Sequence, residues 1–292
     1  MLRRDVLTAA AAALLPNAAF AQREAAGTVN VLYAGSLVNL MEHGVGPAFA
    51  KADRGRFQGY AGGSNKVASE IKGKLRRGDV FVSASPNVND MLIGVANGDW
   101  VSWYITFAQS PLVIGYNPSS KFAAALKTKP WYEVMQESGI RIGRTDPKLD
   151  PKGQLTVALL AHAEQVTGQA GLAQQVLGDP ENPAQVLPEE NLVGRLQSGQ
   201  LDAGFFYSTE TADLKIPAIT LPATMALSAH YTASLLNNAP NAAGGAQFLA
   251  FLLGPQGQRI MRQHGLDVIK PVVTGDATKV PAAIRSMVTA AK

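Results

Sequence analysis

Val29-Asn30-Val31-Leu32-Tyr33-Ala34-Gly35-Ser36-Leu37 is the stretch on which the fold turns. Val29–Tyr33 has the length and apolar, β-branched character of a strand. Ala34-Gly35-Ser36 is small enough to turn tightly, and an apolar-periodic segment opens at Leu37. Strand, small-residue turn and helix in that order begin a βαβ unit. The pattern then repeats. Phe57–Tyr60 reads as a second strand, followed by Gly62-Gly63-Ser64 and a helix carrying Val67, Ile71 and Leu75. A third strand, Asp79-Val80-Phe81-Val82, ends in Ser83-Ala84-Ser85-Pro86.

A second group of elements begins near Ser110-Pro111. Leu112–Tyr116 and Ile140–Arg144 read as strands, with Asn117-Pro118-Ser119-Ser120 as a turn and Trp131–Met135 as a short helix. A helix bearing Leu155, Leu159, Leu160 and Ala163 follows Asp150-Pro151-Lys152-Gly153. Gly178–Pro188 is a surface loop, Leu192–Leu196 is helical and Ala203–Tyr207 is a buried strand. The last third offers the strand Thr232–Leu236 and a helix through Phe248, Phe251 and Leu252. Gly254-Pro255 breaks that helix, and a final one, Gln256–His264, is stopped by Gly265. The expected class is α/β in two lobes, with a ligand cleft between them. Residues 27–108 plus 226–292 form one lobe and 109–225 the other, with crossings near Phe107–Ser110 and Leu221–Ser228.

The chain's start reads as an export signal. Arg3-Arg4 is followed by the apolar run Val6–Leu15 and by Ala19-Phe20-Ala21, the small-x-small pattern for cleavage. Residues 1–21 are therefore expected to be removed, by the Sec route or the twin-arginine route, placing the mature chain in the periplasm. The run is too short for a stable membrane-spanning helix. A formal charge of +4 without long Lys/Arg runs argues against a nucleic-acid partner. There is no cysteine, and His43, His162, His230 and His264 are scattered, so no metal site and no cofactor are expected.

The turns themselves carry the chemistry. A helix start leaves backbone N–H groups without intrahelical partners and is effectively positive, so it attracts an anion. Ser36 and Ser64, with Gly35 and Gly63 beside them, sit at two such starts. Serine is also a favoured N-cap, and for either one alone capping is the simpler reading. Two on successive turns lie at the same end of a parallel sheet, which favours a shared site. Asp150 before Pro151 fits an N-cap with proline at N1. Tyr207 ends an apolar run, where its phenol suits either an anion or a buried carbonyl. Catalytic patterns are missing from the sequence. Gly62-Gly63-Ser64-Asn65-Lys66 lacks the last glycine of a nucleophile elbow, and there is no phosphate-binding P-loop or H-E-x-x-H.

Val31–Leu37, Gly62-Gly63-Ser64, Asp79–Ala84 and Phe251-Leu252-Leu253-Gly254-Pro255-Gln256-Gly257-Gln258 together resemble the periplasmic molybdate/tungstate-binding proteins of ABC importers. Ile142-Gly143-Arg144-Thr145-Asp146-Pro147-Lys148-Leu149-Asp150-Pro151-Lys152-Gly153 is most similar to their tungstate-preferring branch. The resemblance implies the type II periplasmic-binding-protein fold. It also implies a monomeric, non-enzymatic receptor that hands its oxyanion to a membrane permease. Ser36, Ser64 and Tyr207 would grip the anion, with Gly35 and Gly63 allowing close backbone approach. In the tungstate branch an aspartate and a glutamate can also reach the metal centre of the anion. Asp150 matches the aspartate, but Phe206 stands where the glutamate would be. That departure favours a tetrahedral anion held by neutral donors. The rival readings are a receptor for sulfate, phosphate or ferric ion, a ligand sensor, and an exported hydrolase using Ser36 or Ser64. No tyrosine follows Tyr207 closely in the chain, which argues against a ferric site.

Overall fold

A computed structural model describes residues 27–52 and 54–290. The expected signal segment lies outside the described residues. Eleven strands are present among them: β1 (Thr28–Ala34), β2 (Arg56–Gly62), β3 (Val80–Ser83), β4 (Trp103–Tyr116), β5 (Ile142–Thr145), β6 (Val186–Leu187), β7 (Ala203–Tyr207), β8 (Ala218–Thr220), β9 (Ser228–Leu235), β10 (Asp267–Gly275) and β11 (Thr289–Ala290). They join in the order β2-β1-β3-β9-β4-β7-β5-β6, with β10 and β8 also on β4.

β4 carries the architecture. Its first part pairs antiparallel with β9 and β10, and from Leu112 onward it pairs antiparallel with β7. The ladder with β9 ends at Pro111 and the ladder with β7 begins at Leu112, so one strand serves both halves of the molecule. Sequence reading placed a crossing near Phe107–Ser110 and began a strand only at Leu112. The strand instead begins at Trp103 and continues past Phe107 through an irregularity in its ladders, because Trp103, Ile105, Phe107 and Ala108 are all buried against the first half.

Within each half the strands that feed helices are parallel. β1 pairs parallel with β2 and with β3, and β5 pairs parallel with β6 and with β7. Their C-terminal ends therefore lie along one edge of each half, which is where open α/β sheets bind ligands. β9 runs the opposite way to β3, pairing Thr232 with Ser83, so Tyr231 comes to the same edge as the turn after β1.

Helices cover the sheet where the apolar spacing predicts them. The Ser64–Lys72 helix buries Val67, Ala68 and Ile71, but it ends before Leu75, which is 76% exposed. Gly73 and the left-handed Lys74 that follow it stop the helix and carry Leu75 off its apolar face. The Pro151–Thr167 helix buries Leu159, Leu160 and Ala163, and the Ala242–Leu253 helix buries Phe248, Leu249 and Leu252. Phe49 meets Phe248 and Phe251 edge-on, with centroids 5.3 and 5.7 Å away, in the core of the first half.

Candidate functional site

The two edges face each other and touch. Across the contact, Lys66 N–H donates to the Leu149 carbonyl at 3.1 Å and Asn65 Nδ2 donates to the Lys148 carbonyl at 3.2 Å. A Cβ placed on Gly63 would come within 2.5 Å of Leu149 O, and one on Gly35 would collide with the Glu189 side chain. Both glycines are thus where the halves approach most closely, and only hydrogen fits at either position. His264, at the end of the last long helix, pairs with Asp213 at 2.8 Å.

Neither serine caps its helix. Ser36 lies inside a short 3-10 turn, Gly35–Leu37, whose N-cap is Ala34, and its Oγ is 3.0 Å from Tyr231 Oη. Ser64 is the first helical residue, with Gly63 as N-cap. It is fully buried, and its Oγ accepts from Ala84 N–H at 3.1 Å. Each hydroxyl is therefore held by a different strand-end, and Ser64 keeps its own proton to donate. Asp150 is the reverse case. Its Oδ1 accepts from Lys152 N–H at 2.8 Å and from Thr145 Oγ1 at 3.0 Å, as an N-cap does.

Tyr207 closes β7, is 1% exposed, and its phenolic oxygen has no hydrogen-bond partner among the described residues. Burial, followed by the charges of Asp150, Tyr231, Glu189 and Glu210, pushes this phenol well above its usual range, so it stays neutral and can only donate or accept as a hydroxyl. Tyr231 stands edge-on to it with ring centroids 6.1 Å apart. The chain order hides this pairing, since the two residues belong to different halves.

Three residues that sequence reading missed complete the site. Lys152 is fully buried, and its Nζ lies 2.8 Å from Glu189 Oε1 and 2.9 Å from both oxygens of Glu210. Burial alone would lower this ammonium, but Glu189, then Glu210 and Asp150, overcome it and hold the charge in place. Burial raises Glu210 to about 7, against the pull of Lys152. Burial and the nearby Glu189 likewise raise Asp150 to about 7. Glu210 also accepts from Tyr207 N–H at 2.8 Å, the N3-to-N-cap half of a capping box on the helix Ser208–Asp213. Its spacing after Tyr207 was the one available signal. Nothing local marks Glu189, which opens the Glu189–Gln197 helix 37 residues beyond Lys152.

Residues 29–267 match the family model of bacterial extracellular solute-binding proteins. The chain belongs to that family. It is accordingly a solute-binding receptor, not an enzyme, of a class that works outside the cytoplasm. Among relatives, it is 31% identical to a putative ABC transporter molybdenum-binding protein of Haloferax volcanii, over 70% of this chain and 63% of that one. It is 25% identical to the molybdate/tungstate-binding protein WtpA of Thermococcus kodakarensis, over 82% of this chain and 81% of that one. The fold is shared with the periplasmic molybdate-binding protein of Azotobacter vinelandii at TM-score 0.63 and 19% identity, covering 82% of this receptor and 98% of that chain. It is shared equally with the sulfate-binding protein SubI of Mycobacterium tuberculosis, at TM-score 0.63 and 13% identity, covering 89% of each chain.

Proposed function

We propose that this receptor captures a tetrahedral oxyanion of the molybdate/tungstate class in the periplasm and delivers it, as a monomer, to the permease of an ABC importer. Residues 27–108 with 226–292 would act as one lobe and 109–225 as the other, closing on the anion. Tyr207 is the observation that carries this reading. A fully buried phenol without a protein partner costs stability unless a ligand satisfies it. It stands beside the Ser36–Tyr231 pair, which adds hydroxyls from the opposite half. Ser36, Ser64 and Tyr207 then donate to the anion, while Gly35 and Gly63 let the halves approach. With Asp150 engaged as a cap, the anion stays tetrahedral. The two sequence relatives are named for molybdenum and for molybdate/tungstate, which supports the choice over sulfate or phosphate.

A ferric site is the specific alternative, because Tyr207 and Tyr231 are neighbours in space. The buried Lys152 ammonium lies 5.4 Å from the Tyr207 ring, but it is already matched by Glu189 and Glu210. Calorimetry on protein stripped of ligand by unfolding and refolding decides between them, using molybdate, tungstate, sulfate, phosphate and ferric citrate. Four or five charge-assisted bonds, less the costs of closure, put the expected Kd at about 1 μM to 1 nM for molybdate or tungstate. At 100 Kd the anion should stabilise the fold by about 2.7 kcal/mol. Tight binding of another solute with no response to either anion removes the assignment.

A further inference from the structure

Glu189 is placed unlike any other carboxylate of the cleft. Its Oε1 is taken by Lys152, its Cβ and Cγ press on Gly35, and its Oε2 is buried without a partner among the described residues. It lines both cavities of the contact. One, of about 300 Å³, is shared with Gly63, Lys66 and Asp150, and the other, of about 250 Å³, with Gly35, Ser36 and Glu210. The second half thus holds two buried side-chain oxygens without a partner among the described residues, Glu189 Oε2 and Tyr207 Oη, and they are of opposite character. Tyr207 Oη offers a hydrogen, whereas an ionised Glu189 Oε2 can only accept one. A bare dianion has acceptors alone and would meet that oxygen with repulsion.

We propose that Glu189 sets the ligand class of this cleft: its Oε2 accepts a hydrogen carried by the bound oxyanion, so a bare dianion is taken up together with one proton from solvent. The inference rests on the reading of the cleft as an oxyanion site. The charged and titratable groups facing Glu189 agree with it. Lys152 and its N-cap Asp150 come from the Pro151–Thr167 helix, Asp146 from the turn before it, Glu190 from Glu189's own helix, Glu210 and Asp213 from the Ser208–Asp213 helix, Lys66 from the Ser64–Lys72 helix, Tyr207 from the end of β7 and Tyr231 from within β9. Close around the lysine, one cation faces three carboxylates. Glu210, raised to about 7, puts this group at the edge of gaining a proton near neutral pH. In the complex one hydrogen bridges the ligand oxygen and Glu189 Oε2.

The test is calorimetry of molybdate binding to the whole receptor in buffers of different ionisation enthalpy, repeated from about pH 6 to 9. The expected result is uptake of about one proton per anion at the alkaline end, with affinity falling about tenfold per pH unit there. In Glu189→Gln the amide supplies the hydrogen itself, so the uptake and the pH slope should both vanish. Molybdate binding without proton uptake in the wild-type receptor overturns the inference and leaves the oxyanion reading standing. That measurement decides the matter even when the variant fails to fold. A folded Glu189→Gln that keeps wild-type uptake also overturns it. Inorganic phosphate at about pH 8.5 brings its own hydrogen. If it alone binds, without uptake, the inference survives and the molybdate assignment falls. If molybdate, tungstate and phosphate all fail to bind, both readings fall.

Discussion

The two faces of the cleft solve the same problem in opposite ways. On the first, the turns after β1 and β2 open into Gly35–Leu37 and into the Ser64–Lys72 helix, and neither start carries an acidic residue in its first turn. On the second, every helix start brings its own carboxylate: Asp150 as N-cap, Glu189 and Glu190 in one first turn, Glu210 in another. The positive ends of the first face carry no such carboxylate and, under the proposed function, serve the ligand, whereas those of the second are already satisfied. Lys152 then compensates the second face from beneath. Attraction and discrimination are in this way assigned to different halves of the molecule.

The largest effect expected from disturbing this division is at Lys152. Lys152→Met leaves Glu189 and Glu210 buried against each other without their cation, which should cost about 3–5 kcal/mol in urea unfolding at neutral pH. Moving to about pH 5 should recover part of the loss, because the carboxylates can then take up protons. An equal loss at both pH values would mean that Lys152 acts by packing alone. On the opposite face, Ser36→Ala and Ser64→Ala should leave the fold intact and weaken anion binding by about 10- to 150-fold each, read by calorimetry. Unchanged affinity in either variant removes that serine from the site.

Gly63→Ala tests how closely the faces must meet. The added methyl would strike the Leu149 carbonyl, so the closed arrangement should lose about 1–3 kcal/mol. Small-angle scattering should then show a more open particle in the presence of ligand.

The pH dependence of stability sharpens the contrast further. Asp150 and Glu210 both rise to about 7 on folding, so between roughly pH 4 and 7 the folded receptor holds more protons than the unfolded chain. Stability without ligand should therefore fall as pH rises through that window and level off above it, by on the order of a few kcal/mol in all. The smallest effect is expected from Asp150→Asn. Asparagine caps about as well and carries no charge, so stability at about pH 4 should change by less than about 0.5 kcal/mol, the Asp150 share of the pH dependence should disappear, and affinity should hold or improve. A large loss of affinity would show that the carboxylate itself touches the anion.

The same contrast explains what could be read from the chain. The first face is made by turns of consecutive residues, so Gly35-Ser36 and Gly63-Ser64 announce themselves through local spacing. The capping role of Asp150 was equally local. What sequence reading got wrong there was the alternative: the serines do not cap, because Tyr231 and Ala84 hold their hydroxyls from other strands. The second face depends on Lys152, Glu189 and Glu210, which reach one another only through the parallel register of β5, β6 and β7. Phe206 marked the absence of a glutamate beside Tyr207, but no local pattern says that carboxylates return to the site from elsewhere. Leu75 failed for a related reason, since helical spacing continues on paper past the residues that end the helix.

Pro111 gives the long shared strand β4 a further property. It is the one residue between Trp103 and Tyr116 without an N–H, and it sits where the ladder with β9 ends and the ladder with β7 begins. A sheet twists most cheaply where no ladder bond must stretch, and proline guarantees one such place. Beside it, Ser110 Oγ accepts from Thr209 N–H at 3.2 Å and lies 3.0 Å from Ser208 Oγ. The molecule therefore folds like stiff paper scored along one line. Under the proposed function its two leaves would swing while nearly every backbone bond stays made, so letting go of a cargo need not loosen the protein that carried it.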